Sequence, residues 1–483
     1  MEKNYNKYLI SICILSFVYA SAQDLPRKIP KGLIFGAATS SYQVEGAWDA
    51  DGKTQSILDY LYQNSLEQIT DGSNGNVATN SYYLYERDVE MMRELGLDFY
   101  RFSLSWPRLL PYNYSERINP AGVNYYNNLM DEMLKYGIEP VVTLYHWDLP
   151  LELAQQGGWT NPQIVDWFSD FARTAFELFG DRVKYWITLN EPQVFCYYRH
   201  PGDDIYKCMK NSLLAHAKAY HIYDEEFRPT HNGAIFISLS TEFYEPVNSQ
   251  DAEAAEDATN YHWGVFTNPI FSKDGDFPAS MKEKLAAKSA KQGLSSSKLP
   301  DMSPEEIDFI KGTSDFFGIN HYTTKYVYRN ESENDYEVPS FYDDLGVQMY
   351  QPDSCQIGYS YLVCSVPWGF YKLLTKIREE FDNPPIFITE NGFSTHGGLD
   401  DQDRIEYYKT YLCAMLDAID EGSDVRAYTA WSLMDNFEWA RGYIDRFGLY
   451  EVDYESEELT RTPRASAFMY QNVLRTRSII CGT

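Results

Sequence analysis

The chain has 483 residues, 44% hydrophobic and 23% charged, the composition of a folded soluble protein and not of a disordered or fibrous one. A formal net charge of −29 and a pI near 4.6 argue against nucleic acid and anionic membranes as partners, since both would repel such a surface. Aromatic residues make up 16%; core packing explains most of them, and flat apolar platforms for sugar rings are their other use.

The chain opens with Lys3 and Lys7, a largely apolar run over 8–19, and Ala20-Ser21-Ala22. That is the order of a basic region, a short hydrophobic segment and a small-residue cleavage site. Residues 1–22 therefore read as a signal peptide and 23–483 as one mature domain, secreted to an extracellular space, a gut lumen or a storage compartment. A membrane anchor is the alternative, but the run is too short to span comfortably and no later stretch approaches 18 apolar residues.

Loss of the signal takes Cys13 and leaves Cys196, Cys208, Cys355, Cys364, Cys413 and Cys481. Some can pair in an oxidising compartment. Cys196 and Cys208, on either side of a loop, are the candidate bridge, although spacing alone does not fix connectivity. Asn113-Tyr114-Ser115 and Asn330-Glu331-Ser332 fit the N-glycosylation triplet.

Short apolar runs of strand character recur at 33–38, 99–104, 140–146, 185–189, 234–239, 316–319, 385–389 and 427–433. Between them, segments such as 81–95, 119–136, 161–179, 209–227, 366–381 and 401–420 carry apolar residues at three-to-four spacing, the period of a helix with one buried face. Asn119-Pro120 and Asn161-Pro162 are helix-start signals. Alternating strands and helices predict a parallel sheet, and eight repeats predict an α/β fold closed into a single (β/α)8 TIM barrel. The competitor is an open doubly wound sheet, which shows its phosphate loop early. Here the first strand runs into Ala37-Ala38-Thr39-Ser40-Ser41-Tyr42-Gln43, with no G-x-G-x-x-G. The irregular stretches 291–302 and 329–353 read as loop insertions on that barrel.

Such barrels build their sites at the C-terminal strand ends. Those ends carry Gln43, Arg101, His146 with Trp147 and Asp148, Asn190 with Glu191, Asn320 with His321 and Tyr322, Glu390 with Asn391, and Trp431. Carboxylates, amides, an imidazole and aromatics converging on one mouth suit a polyhydroxylated ligand. Glu191 and Glu390 suit acetal chemistry, one carboxyl protonating the leaving oxygen while the other attacks the anomeric carbon. The plainer alternative is two glutamates capping the helices that follow them.

Specific motifs run the length of the mature chain: F-G-A-A-T-S-S-Y-Q at 35–43 with E-G-A at 45–47, R-F-S-L-S-W-P-R at 101–108 and Y-H-W-D-L-P at 145–150. They continue with T-L-N-E-P at 188–192, N-H-Y-T at 320–323, I-T-E-N-G at 388–392 and W-S-L-M-D-N-F-E-W at 431–439. In this order the sequence resembles glycoside hydrolase family 1, most like its insect members. The resemblance implies a retaining β-glycosidase that needs no metal or organic cofactor. It makes Glu191 the acid/base and Glu390 the nucleophile, about 5 Å apart. It makes Arg101 and Tyr322 the residues that orient the nucleophile and Asn190 the amide on the sugar 2-hydroxyl. Gln43, His146, Glu438 and Trp439 become glycone ligands and Trp431 the platform under the ring. An acidic Glu438 disfavours 6-phosphosugars, whose phosphate it would repel.

The loop over 193–207, which lines the aglycone side in the family, looks shortened and keeps only His200-Pro201-Gly202. Plant myrosinases carry glutamine in place of Glu191 whereas insect thioglucosidases keep the glutamate, so the leaving group stays open. The expected substrate is a small-molecule β-glucoside, with a glucosinolate as the alternative. A transglycosylase and a catalytically silent glycan-binding barrel follow, the last disfavoured because both carboxylates are present. An oligomer is compatible with the sequence.

Overall fold

The computed structural model describes residues 26–112, 117–200, 202, 204–330 and 340–482. The signal-peptide reading and Asn113 lie outside the described residues. Each apolar run supplies one barrel strand: β1 (Ile34–Ala38), β2 (Phe99–Ser103), β3 (Glu139–Tyr145), β4 (Tyr185–Asn190), β5 (Ala234–Ser240), β6 (Phe317–Asn320), β7 (Ile386–Asn391) and β8 (Val425–Trp431). All neighbours pair in parallel, and β8 closes on β1.

Strand alternation divides the barrel interior into two zones. Phe99, Val141, Ile187, Phe236 and Phe387 pack into one apolar layer with Phe316, the phenyl pairs Phe99–Phe387 and Phe236–Phe387 lying 5.3 and 5.1 Å apart. Two residues onward on the same strands stand Arg101, Thr143, Ser238 and Thr389, inside and hydrogen-bonded to one another or to their neighbours. A period of two keeps both sets on the inner face, so a greasy base supports a polar upper half.

Helices Ser81–Leu95, Pro120–Lys135, Ile164–Phe179, Asp204–Ile222, Pro367–Glu380, Gln402–Asp420 and Ala465–Thr476 form much of the outer layer. In Ile164–Phe179 the buried residues include Ile164, Phe168, Phe171, Ala172, Ala175, Phe176 and Phe179, a stripe of helical period facing the barrel. Each fully buried Phe there contributes on the order of 2–3 kcal/mol.

Two expectations change. The stretch 329–353 is not a plain loop. It holds the helix Phe341–Leu345, started by a capping box from Ser340, and the strand Val347–Tyr350, which pairs with Thr324–Arg329 and through it with Phe243–Pro246. The stretch 193–207 is also largely helical. Pro192–Arg199 is a helix whose first position takes Pro192, and Asp204–Ile222 begins soon after. Asn330 is half-buried, its N–H donating to Gly346 O at 3.3 Å.

Cys196 and Cys208 are bonded, Cα atoms 5.6 Å apart, so the bridge joins two helices rather than flanking a loop. Cys355–Cys364 and Cys413–Cys481 are also bonded, with sequence separations of 9 and 68. Loop-closure entropy makes the longest loop the most stabilising. Replacing Cys413 and Cys481 by Ser is expected to cost about 4 kcal/mol, against about 2–3 kcal/mol for the Cys355–Cys364 pair. Thermal midpoints of the two double variants check this, and a reversed order would refute it.

Candidate active site

The polar half of the barrel is organised around one guanidinium. Arg101, 1% exposed in the middle of β2, sends Nε to Thr143 Oγ1 at 3.1 Å and Nη1 to Thr389 O at 2.9 Å. Nη1 also donates to Glu390 Oε1 and Nη2 to Asn190 Oδ1, both at 2.6 Å. Glu390 stands on β7 where the register with β6 shifts between Ile388 and Glu390, an irregularity that re-aims the side chain. Its second oxygen, Oε2, accepts the Tyr322 hydroxyl at 2.7 Å. Burial and the Glu390 charge push the Tyr322 hydroxyl well above its usual range, so it stays a donor. Glu390 is thus ion-paired on one oxygen and hydrogen-bonded on the other, both strong, charge-assisted contacts.

Glu191 follows β4 in the left-handed region, φ 47° and ψ 59°, a conformation that costs a non-glycine residue roughly 1–2 kcal/mol. Pro192 on one side and the Glu191 N–H to Ser238 O bond of 2.8 Å on the other hold it there. Its Oε1 accepts from Asn320 Nδ2 at 3.0 Å. Burial, then the negative charge of Glu390, push its carboxyl up to about 8, while Asn320, Arg101 and Ser240 oppose the rise. The two glutamates therefore sit in opposite environments: one against a cation, the other buried beside a negative charge.

Asn190 joins them. Its Oδ1 accepts from Arg101 and from Asn320 Nδ2 at 3.0 Å. Since arginine only donates, the amide orientation is fixed. Asn190 Nδ2 then faces His146 Nε2 at 3.2 Å, which must accept, leaving the imidazole proton on Nδ1. Burial and Arg101 hold His146 well below its usual range and so neutral. Its Nδ1 is buried and has no protein partner among the described residues.

The remaining glycone residues cluster beside it. The imidazole lies nearly parallel to Trp431 and Trp439, at 6.1 and 6.0 Å and 16° and 13°. Trp431 Nε1 donates to Glu438 Oε1 at 3.3 Å. Burial pushes the Glu438 carboxyl well above its usual range against that bond, with Asp445 and Glu390 adding to the rise. Gln43 Nε2 donates to Asn436 Oδ1 and Phe437 O at 2.8 and 2.9 Å, and its Oε1 accepts from Ser40 Oγ at 2.7 Å. It thereby ties the end of β1 to the segment carrying Glu438.

Sequence reasoning quoted Asn320 in N-H-Y-T but gave it no role. In the structure its Oδ1 accepts from Ser238 Oγ and Thr389 Oγ1 at 2.9 and 2.7 Å, aiming its amide at Asn190 and Glu191 together. Trp147, named beside His146, was likewise given no role; its Nε1 donates to Asn190 O at 2.9 Å and its ring lies 4.5 Å from Trp439. Their places at strand ends were the available signal.

Residues 25–479 match the family model described as glycosyl hydrolase family 1. Myrosinase 1 of Brevicoryne brassicae is 42% identical over 465 residues, 93% of this chain and 99% of its own. Human cytosolic beta-glucosidase is 40% identical over 468 residues, 93% and 98%. Among solved structures, aphid myrosinase matches with a TM-score of 0.88 at 41% identity, over 93% of this chain and 99% of that one. A rice beta-glucosidase matches with 0.86 at 36% identity, over 92% and 98%. A likeness that runs from residue 25 to residue 479 and extends to the fold leaves one assignment: the chain belongs to glycosyl hydrolase family 1.

Proposed function

We propose that this retaining β-glycosidase hydrolyses terminal β-D-glucosides, with Glu390 as nucleophile and Glu191 as acid/base. The observation that carries the reading is the electrostatic asymmetry of the pair. An anionic Glu390, held by Arg101 and Tyr322, attacks the anomeric carbon while Glu191, kept protonated by burial and by Glu390, protonates the leaving oxygen. The ester that forms removes the charge on Glu390, so the carboxyl of Glu191 becomes more acidic and can take a proton from the incoming water. Asn190 is placed for the sugar 2-hydroxyl, and His146, Gln43, Trp431, Glu438 and Trp439 for the rest of the ring. The mechanism requires the carboxyls about 5 Å apart. One solved form of the rice relative is a mutant in a covalent complex with Glc, which agrees with a glycosyl-enzyme.

The second reading, cleavage of S-linked glucosides, is supported by the 42%-identical relative named a myrosinase. A thiolate leaving group needs less protonation than an alkoxide, and Glu191 serves either. Turnover of an aryl β-glucoside and of a glucosinolate by the same preparation decides. A higher kcat/KM for the aryl glucoside is expected, and turnover of the glucosinolate alone would reverse the order.

We place the protein outside the cytosol on its basic-apolar-small N-terminus and its three disulfides, although one relative is named cytosolic. Among the described residues no helix is long and apolar enough to cross a membrane.

A further inference from the structure

Behind the glycone residues lies a small cavity of about 10 Å³ bordered by Ser41, Tyr42, Glu45, Lys53, Ser105 and Asp148. Asp148, two residues past His146 and next to Trp147 with its left-handed φ of 76°, is 2% exposed. Its Oδ2 accepts from Ser41 Oγ at 2.9 Å. Ser41 N in turn donates to Ser103 Oγ at 2.7 Å, and Ser103 Oγ to Ser41 Oγ at 3.1 Å. One hydrogen-bonded chain thus links the ends of β1, β2 and β3. Asp148 Oδ1 and Ser105 Oγ, on two of the residues bordering the cavity, have no partner among the described residues. Buried polar atoms are rarely left so, and the space suits one water.

The neighbouring charges are already committed. Glu45 pairs with Arg108 at 2.9 Å and accepts from Tyr126 at 2.6 Å, and Lys53 pairs with Asp59 at 2.7 Å. Tyr42 and Tyr145 are neutral phenols. Among the described residues bordering the cavity, the one cation, Lys53, is thus already paired. Burial pushes its carboxyl up to about 7 against the Ser41 bond, Glu45 adding to the rise and Lys53 opposing it.

We propose that Asp148 is a positioning residue of the glycone pocket: through Ser41, and through one water held between its free oxygen and Ser105, it locks the Ser41–Val44 turn carrying Gln43 to the turn carrying His146 and Trp147. The inference rests on the glucosidase reading of that pocket. Asp148→Ala is expected to raise KM for an aryl β-glucoside about tenfold, the equivalent of one buried hydrogen bond. Asp148→Asn, which keeps an acceptor for Ser41, is expected to restore KM to within about threefold.

Ser41→Ala should raise KM without adding to Asp148→Ala in the double variant, and it carries the test if Asp148→Ala does not fold. A diffraction experiment on the wild type should find the water. A lowered thermal midpoint with KM unmoved would mean a merely structural residue and overturn the proposal alone. Absence of any β-glucoside turnover by the wild type would overturn it together with the glucosidase reading.

Discussion

Replacing Glu390 by Ala is expected to lower kcat for every β-glucoside by on the order of 10⁴-fold or more, because no other group can take the sugar. Arg101, Tyr322 and Asn190 are all directed at or around this carboxylate. None of them is a nucleophile in that position. The truncation also leaves a small space beside a cation, and a small anion such as azide entering there would attack from the same face as Glu390. The glycosyl azide formed should therefore have the α configuration, opposite to the normal product. Residual turnover within tenfold of wild type, or a β-configured azide, would remove Glu390 from the nucleophile's role.

Glu191→Gln should act differently on different leaving groups. For an alkyl or sugar aglycone the missing acid is expected to cost about 10²–10⁴ in kcat. For a dinitrophenyl glucoside, which leaves without help, the first step should persist and the second should stall for want of a base. A stoichiometric burst of phenolate and an accumulated glucosyl-enzyme would report it by mass spectrometry. The pH profile gives an independent reading. Glu191 is competent as an acid only while protonated, so wild-type kcat/KM should fall as pH rises through about 8, and the Gln variant should lack that fall. Stability follows the same sign. A folded-state carboxyl raised above its unfolded value contributes stability that is fully present below the unfolded value, near 4.5, and is lost by the folded one, so Glu191→Gln should gain on wild type progressively up to about pH 8 and no further above it. Equal losses on both substrates, or an unchanged alkaline limb, would defeat the assignment.

Much of this was visible in the sequence, for a physical reason. Barrel strands are buried on both faces, so they appear as short continuous apolar runs, and all eight did. The polar and aromatic residues in or just after those runs had to line one mouth, which is why Arg101, Asn190, Glu390 and Trp431 could be named together. What stayed hidden depends on contacts between distant segments. The register shifts before Asn190 and Glu390 leave no mark in composition. The double duty of Asn320 follows from Ser238 and Thr389 on neighbouring strands. Cys196 and Cys208 were paired correctly, yet the segment between Glu191 and Cys208 was read as a shortened loop. His200-Pro201-Gly202 dominated that reading, while the helical start at Pro192 was overlooked.

The layer of phenyl rings beneath Arg101 has a consequence for traffic. Among the described residues it closes the base of the barrel, so the polar half opens at the strand ends. Whatever enters sugar-first must leave in reverse, aglycone ahead of glucose, and water can reach the bound sugar only after the aglycone has cleared the entrance. A polymer cannot thread through, so cleavage is confined to chain ends, one sugar at a time. Released glucose must leave by the entrance that the next substrate uses.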